Sequence, residues 1–339
     1  MARIALDAMG GDFAPGATVS GALLALGELD SSHTIQLVGP TATIETELAK
    51  HAAGELKSLH AQRDRISIVE APDVISMSDK PGAAIRGKPN SSMVVGLKLQ
   101  AGGKSDAFVS AGNTGAQMAA SVVVLRLHAG LKRPAIATVF PTAKKAIVVL
   151  DSGANVDCGP EELVQFAQLG AIYAEDILGR ANPAVGLLSI GEEPEKGNVA
   201  VKEAHQLLQT SGLNFIGNVE GRDLPNGTCG HGDIDVVVCD GFVGNVVLKF
   251  YEAIAPYIMG TLKKAGIDEK KMAGALTHLD YSQYGGAPLL GVNGVSIISH
   301  GKSSPQAIKN ALKVAAKAVE SKMDEHIGRR IEPKAGAST

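Results

Sequence analysis

Tryptophan is absent from this 339-residue chain, and aromatic residues make up only 4% of it. A core of this composition must rest on Val, Ile, Leu and Ala, with 40 glycines to punctuate the turns. The length is enough to bury such a core without covalent staples. Three cysteines, Cys158, Cys229 and Cys239, form neither an even disulfide set nor a C-x-x-C pair. They fit a reducing compartment, and each reads as a small core or loop residue rather than a nucleophile or ligand. No stretch of about 18 uncharged apolar residues occurs, which excludes a membrane-spanning helix. The N-terminal MARIALDAMGGD turns into a strand with no signal-type apolar region before it, so the expected location is cytoplasmic. The net charge is −3 and no basic run carries interleaved aromatics, so no nucleic-acid partner is expected. G-x-x-x-x-G-K-[ST] is missing, as are a clean G-x-G-x-x-G after a strand, H-E-x-x-H and G-x-S-x-G. Their absence removes support for ATP by a P-loop, for a dinucleotide, for zinc and for a serine hydrolase. Neither cofactor nor metal is expected.

What the chain does hold is a rhythm. Short β-branched runs occur at 3–8, 34–39, 66–71, 106–112, 135–140, 145–151, 184–191, 213–221, 234–241 and 294–301. Helical periodicity falls at about 14–29, 42–53, 81–101, 113–128, 160–179, 198–211, 243–265 and 304–326. Near-continuous apolar strands alternating with helices predict an α/β fold, a three-layer α/β/α arrangement with a largely parallel sheet. The domain reading is a single two-lobed unit over residues 1–330, its lobe boundary possible at a discontinuous position, followed by a loose C-terminal tail over 331–339.

In such sheets ligands bind beyond the carboxyl ends of the strands. Five strand ends here look alike: DAMGGD (7–12), SAGNTGA (110–116), DSGANVD (151–157), SIGEEPEKGN (189–198) and DGFVGN (240–245). Each has glycine, which lets a ligand approach the backbone, and polar residues that can cap the following helix. Free N–H groups at such helix starts favour an anion. One turn of this kind is ordinary turn chemistry; five at successive strand ends point to a shared anion site. A sixth loop, near 289–304, adds His300, Lys302 and Ser303. A lone histidine there is more often a turn cap than a ligand.

Taken together, IALDAMGGDFAP, SAGNTGA, LDSGAN, SIGEEPEKGN, VEGRDL, DVVVCDGFVGN and GAPLLGVNG followed by SHGKS (299–303) resemble the bacterial acyl-[acyl-carrier-protein]:phosphate acyltransferases of phospholipid synthesis. The motifs run in order from residue 4 to about 304. The resemblance implies attack of inorganic phosphate on the thioester of a long-chain acyl carrier protein, giving acyl phosphate. It also implies a homodimer with a fold related to phosphotransacetylases and to isocitrate and isopropylmalate dehydrogenases. Two further contacts come with it: peripheral association with membrane, and a downstream glycerol-3-phosphate acyltransferase.

Such chemistry asks for positioning and for stabilisation of a developing oxyanion. The resemblance makes Lys196 and Asn245 the catalytic candidates, a compact cation and an amide donor. Ser110, Gly112, Asn113, Thr114, Gly197, Asn198, Asp240, Gly244 and His300 are carried as substrate- or phosphate-binding positions. Glu192 and Glu193 are open: one holds Lys196, or accepts a proton, or both are solvated turn carboxylates. An acidic carrier calls for a positive surface. The candidates are Lys132–Arg133, Lys144–Lys145, Lys263–Lys264 with Lys270–Lys271, and the stripe Lys309, Lys313 and Lys317, each also readable as a solvated face. The segment 250–276 reads as a membrane contact or as a helix pair in the dimer interface, and the second is favoured because amphipathic helices usually face protein. The competing readings are a nicotinamide-dependent dehydrogenase and a non-enzymatic scaffold that recruits lipid enzymes.

Overall fold

The computed structural model describes residues 1–267 and 285–331. Among them, the strands in chain order are β1 Arg3–Asp7, β2 Thr34–Gly39, β3 Ile66–Glu70, β4 Ala107–Ser110, β5 Ala135–Ile136, β6 Thr138–Phe140, β7 Ile147–Leu150, β8 Val185–Leu188, β9 Phe215–Val219, β10 Thr228–Cys229, β11 Gly232–Asp233, β12 Val236–Val238, β13 Ala287–Leu290 and β14 Val295–Ile298. The chain divides into two compact units, one formed by Met1–Pro134 with Ser282–Thr339 and the other by Ala135–Tyr281.

In the first unit the strand order is β3-β2-β1-β4-β14-β13. All neighbours are parallel except β13, which runs antiparallel to β14. Strands β1 and β4 are buried almost throughout, because parallel strands covered by helices have no face left for water. Helix Gly16–Leu26 lies tightly on helix Pro305–Glu320: a Cβ on Gly21 would stand 2.6 Å from Cβ of Ile308. Helices Ser92–Ala101 and Pro305–Glu320 both rest on β1 and β4.

In the second unit the order is β6-β7-β12-β8-β9, parallel apart from β6 against β7. Phe140, Ile147, Val149, Val219, Leu224, Ile234, Val237 and Cys239 form one buried cluster. The ring of Phe140 meets Tyr251 edge to face at 5.1 Å, which fixes helix Gly241–Lys264 to this core. Helix Pro160–Asp176 lies close on β7 and β12 because Gly170 leaves room for Leu150 and Val236.

The largely parallel α/β organisation expected from the sequence is the one observed, with four local corrections. The helix expected over 81–101 is two helices, Pro81–Gly87 and Ser92–Ala101, because Pro89 denies its own N–H to a helix and holds the preceding residue out of helical conformation. The pattern over 304–326 likewise divides, at Ser321–Lys322 with Lys322 at positive φ, into Pro305–Glu320 and Met323–Ile331. The run 135–140 breaks into β5 and β6. Strand β13, in a Gly- and Pro-flanked segment, and the two-residue strands β10 and β11 have no counterpart among the expected strands. Ile331 ends a helix, whereas 332–339 of the expected tail lie outside the described residues, as do Lys270, Lys271 and 268–276 of the segment 250–276.

Candidate functional site

In the first unit, the loops after β1, β4 and β14 carry polar groups held by long-range bonds. Asp7 ends β1 and is 2% exposed. Its Oδ2 accepts from Ser110 Oγ at 2.7 Å, and its Oδ1 accepts from Met9 N–H at 3.1 Å. Burial pushes the Asp7 carboxyl up, against hydrogen bonds from Ser92, Ser110, Met9 and Gly10 that favour the anion. Ser110 Oγ also accepts from Gly112 N–H at 3.0 Å. A Cβ on Gly10 would lie 2.8 Å from both Gly112 N and Ser110 Oγ, so a side chain there would break this cluster.

Asn113 caps helix Thr114–Val124 by accepting from Ala116 N–H at 3.0 Å. Its Nδ2 donates to the carbonyls of Ser76, Met77 and Asp79 at 3.3, 3.1 and 3.0 Å. The Asn113 amide is therefore occupied as a clasp on the 76–79 loop. Thr114 is exposed, and the N–H groups of Thr114 and Gly115 have no partner among the described residues, although Pro81 packs against Gly115. His300 is exposed, and its Nδ1 accepts from Lys302 N–H at 3.1 Å. In the neutral ring that bond places the proton on Nε2.

The second unit has a similar set beyond β7, β12 and β8. Asp151, fully buried, gathers five N–H groups. Oδ1 accepts from Ile136, Gly153 and Ala154 at 3.0, 3.3 and 3.1 Å, and Oδ2 from the main chain and side chain of Asn155 at 2.7 and 2.9 Å. Burial again pushes its carboxyl up while these donors pull the other way. Asp240 caps helix Gly241–Lys264 by accepting from Val243 N–H at 2.8 Å. A Cβ on Gly241 would stand 2.6 Å from Asp151 Oδ2, and one on Gly244 would overlap the Asp151 carbonyl. Asn245, one residue on, is exposed and borders Gly153, with no hydrogen-bond partner for its side chain among the described residues.

The 189–198 loop folds around Gly191. A Cβ there would lie 2.9 Å from Lys196 Cγ and from Glu193 Oε2, so the glycine lets the lysine stem fold back across the turn. Lys196 is exposed, and its ammonium has no carboxylate partner among the described residues. Of the two glutamates, Glu192 reaches Arg222 at 3.4 Å, and Arg222 also reaches Glu220 at 2.7 Å. Neither Glu192 nor Glu193 holds Lys196. Gly197 has φ +104°, and Asn198 caps helix Val199–Gln209 by accepting from Val201 N–H at 2.9 Å.

Burial raises Cys158 to about 12, and raises the fully buried Cys239 well above the usual thiol range, so neither is a thiolate nucleophile near neutral pH. The lysine surfaces expected to meet a carrier are partly spent. Lys309 and Lys313 both pair with Glu28, and Lys144 and Lys145 pair with Asp233 and Asp235 at 2.6 and 2.8 Å. Asp7, Asp151, Asn218 and Arg222 were not among the sequence candidates. The first two stand at strand ends inside quoted motifs, a signal that could have found them.

The fold is that of the phosphotransacetylases. The EutD phosphotransacetylase from Staphylococcus aureus superposes with a TM-score of 0.61 at 15% identity, covering 94% of each chain. A branched-chain phosphotransacylase from Enterococcus faecalis gives 0.59 at 16% identity, covering 94% of this chain and 99% of that one. The chain belongs to the family described as fatty acid synthesis protein, whose model matches residues 2–326. The phosphate acyltransferase of Desulforamulus reducens is 50% identical over 94% of both chains, and that of Heliobacterium modesticaldum 49% identical over 98% of this chain and 99% of its own. The protein is thus an enzyme of an acyltransferase family.

Proposed function

We propose that the enzyme transfers the acyl group of a long-chain acyl-[acyl-carrier-protein] to inorganic phosphate, giving acyl phosphate and the free carrier thiol. The observation that supports it most is the Lys196 ammonium, without a carboxylate partner among the described residues, on a glycine-turned strand end in a chain about half identical to phosphate acyltransferases.

A phosphate oxygen attacks the thioester carbon, the carbonyl oxygen takes the negative charge, and the C–S bond breaks as that charge collapses. Lys196 is assigned to phosphate or to the developing oxyanion, as a cation with no competing carboxylate. Asn245 is assigned to donate its amide N–H to the same charge. Gly197 and Gly244 give backbone clearance, while Asn198 and Asp240 fix the helix starts on which these groups depend. In the first unit, the N–H groups at Thr114 and Gly115 and the Nε2–H of His300 are offered as anion donors, with Ser110, Gly112 and Asn113 holding the loop that presents them. Phosphate is itself the nucleophile, and the raised Cys158 and Cys239 thiols fit a path without an acyl-cysteine.

We assign the partners as the acylated carrier protein and a second copy of this chain. Phe242, Val246 and Phe250 are exposed at four-residue spacing on helix Gly241–Lys264, an apolar stripe suited to an interface. Among the described residues no helix is long and apolar enough to cross a membrane. Peripheral membrane contact and a downstream glycerol-3-phosphate acyltransferase remain part of the same proposal.

Incubation with palmitoyl carrier protein and inorganic phosphate, with hydroxylamine trapping of the product, tests the assignment. Phosphate-dependent acyl hydroxamate and stoichiometric free carrier are expected. A folded protein that yields neither, across acyl lengths, would overturn it.

A further inference from the structure

A hydrogen-bonded line, buried at its centre, runs from helix Val199–Gln209 to the loop that carries Lys196. Asn218, on β9 and fully buried, donates from Nδ2 to the Glu193 carbonyl at 2.8 Å. That carbonyl also accepts from Lys196 N–H at 3.0 Å, so one oxygen carries both the tether and the turn that places the lysine. On its other side Asn218 Oδ1 lies 2.9 Å from Nδ1 of His205, which is 4% exposed. With its N–H spent on Glu193, Asn218 can only accept there, so His205 holds its proton on Nδ1. His205 Nε2 is then the acceptor for Gln209 Nε2 at 3.3 Å. The ring is further fixed edge-on against Phe215 at 5.1 Å. The direction of every bond in this line is set by the next. A flipped Asn218 amide would face N–H with N–H and oxygen with oxygen.

The loop has a second, outer tether, the exposed Arg222–Glu192 pair at 3.4 Å. An exposed pair of that kind restrains little. The centre of the line, Asn218 with His205, is buried and so at low local dielectric, where a hydrogen bond holds more firmly and its loss is felt more.

We propose that Asn218, oriented by His205, is a positioning residue for the acyltransfer reaction: it sets where Lys196 stands by holding the Glu193 carbonyl. The proposal rests on Lys196 being the catalytic cation. Asn218 touches no reacting atom in this account and acts only through the lysine.

A double-mutant cycle tests it. Asn218→Asp keeps the size of the side chain and its contact to His205, but presents an oxygen where Glu193 needs a donor. In the otherwise unchanged enzyme it should lower acyl-phosphate formation about 10- to 100-fold, mainly in kcat, the scale of displacing a positioned group by about an ångström. In the Lys196→Ala background the same change should alter the residual rate less than about 3-fold, since the group it positions is gone. Equal losses in both backgrounds would show a merely structural residue and overturn the proposal. So would an unchanged rate in Asn218→Asp while Lys196→Ala is impaired. If Lys196→Ala itself retains activity, the catalytic reading of the lysine fails first, and the proposal fails with it. Thermal melts accompany each variant. Should Asn218→Asp not fold, His205→Leu, which removes the orienting N–H, is put through the same cycle with the same expected non-additivity.

Discussion

Gly244 lies directly against the carbonyl of Asp151, with no room between them for even a Cβ. The contact joins the first turn of helix Gly241–Lys264 to the five-donor loop that follows β7. Gly244→Ala must push either the helix or the Asp151 backbone aside, and backbone does not rotate away as a side chain would. We expect a loss of at least about 1–3 kcal/mol of stability, as in overpacked cores. Activity should fall further, because Asn245 is the next residue. Thermal unfolding and acyl-phosphate formation, measured on the same sample, check both.

Among the described residues the Lys196 ammonium has no partner to lose, so its removal separates chemistry from folding. Lys196→Ala should leave Tm within a degree or so of the parent while lowering turnover by about two to three orders of magnitude, the scale of losing one oxyanion donor. Activity within a few-fold of the parent would take Lys196 out of the mechanism.

Asn245→Ala is expected to behave alike and more weakly, since a neutral donor contributes less than a charged one. A fall of about 10- to 100-fold in kcat with unchanged Tm is expected. Asn245→Asp should be worse than Asn245→Ala, because it sets a negative charge where the site is to receive an anion. Steady-state kinetics of the two variants against phosphate concentration test that order.

Arg3 and Asp106 contribute to the acid sensitivity of the first unit. Arg3 donates from its main chain and guanidinium to Asp106, at 2.7 Å from N, 3.1 Å from Nε and 2.7 Å from Nη2. The side-chain hydrogen bond from Arg3 is the chief cause that holds Asp106 below its ordinary 3.8. A carboxyl lowered by folding stabilises the fold above its unfolded value and loses that contribution as pH falls through the folded one. Stability should therefore drop below about pH 4. Asp106→Asn should flatten that part of the Tm–pH curve, at a cost near neutral pH of about 1 kcal/mol for a partly exposed pair.

The sheets and the helix-start loops were legible in the sequence because their signals are local. β-branched runs, glycines and capping residues act within a few positions of themselves. Asn198 caps the helix it was expected to open, while Asp240, carried as a binding position, caps helix Gly241–Lys264. The supports beneath them were not legible. Ser110 meets Asp7 across 103 positions and Asn218 meets Glu193 across 25, and neither separation leaves a periodic trace. The lysine stripe on the last long helix was read on its own. Glu28, 281 positions before Lys309, occupies two of its charges and could be seen only once the chain was folded. Strand β13 went unseen because its short run sits between glycines and begins with Ala-Pro, the vocabulary of a turn.

The order of the first unit's strands has a consequence for synthesis. β4 is paired with β1 on one side and β14 on the other, yet β14 comes 185 residues after the end of β4, by position 295 against 110. While the ribosome is making everything between, β4 stands at an open edge, able to template a wrong pairing. Residues 135–267 can meanwhile collapse on partners close in sequence. A chain truncated before residue 295 should accordingly be cut by protease within residues 1–134 sooner than within 135–267. The early half of this enzyme waits on its last strand to become resistant.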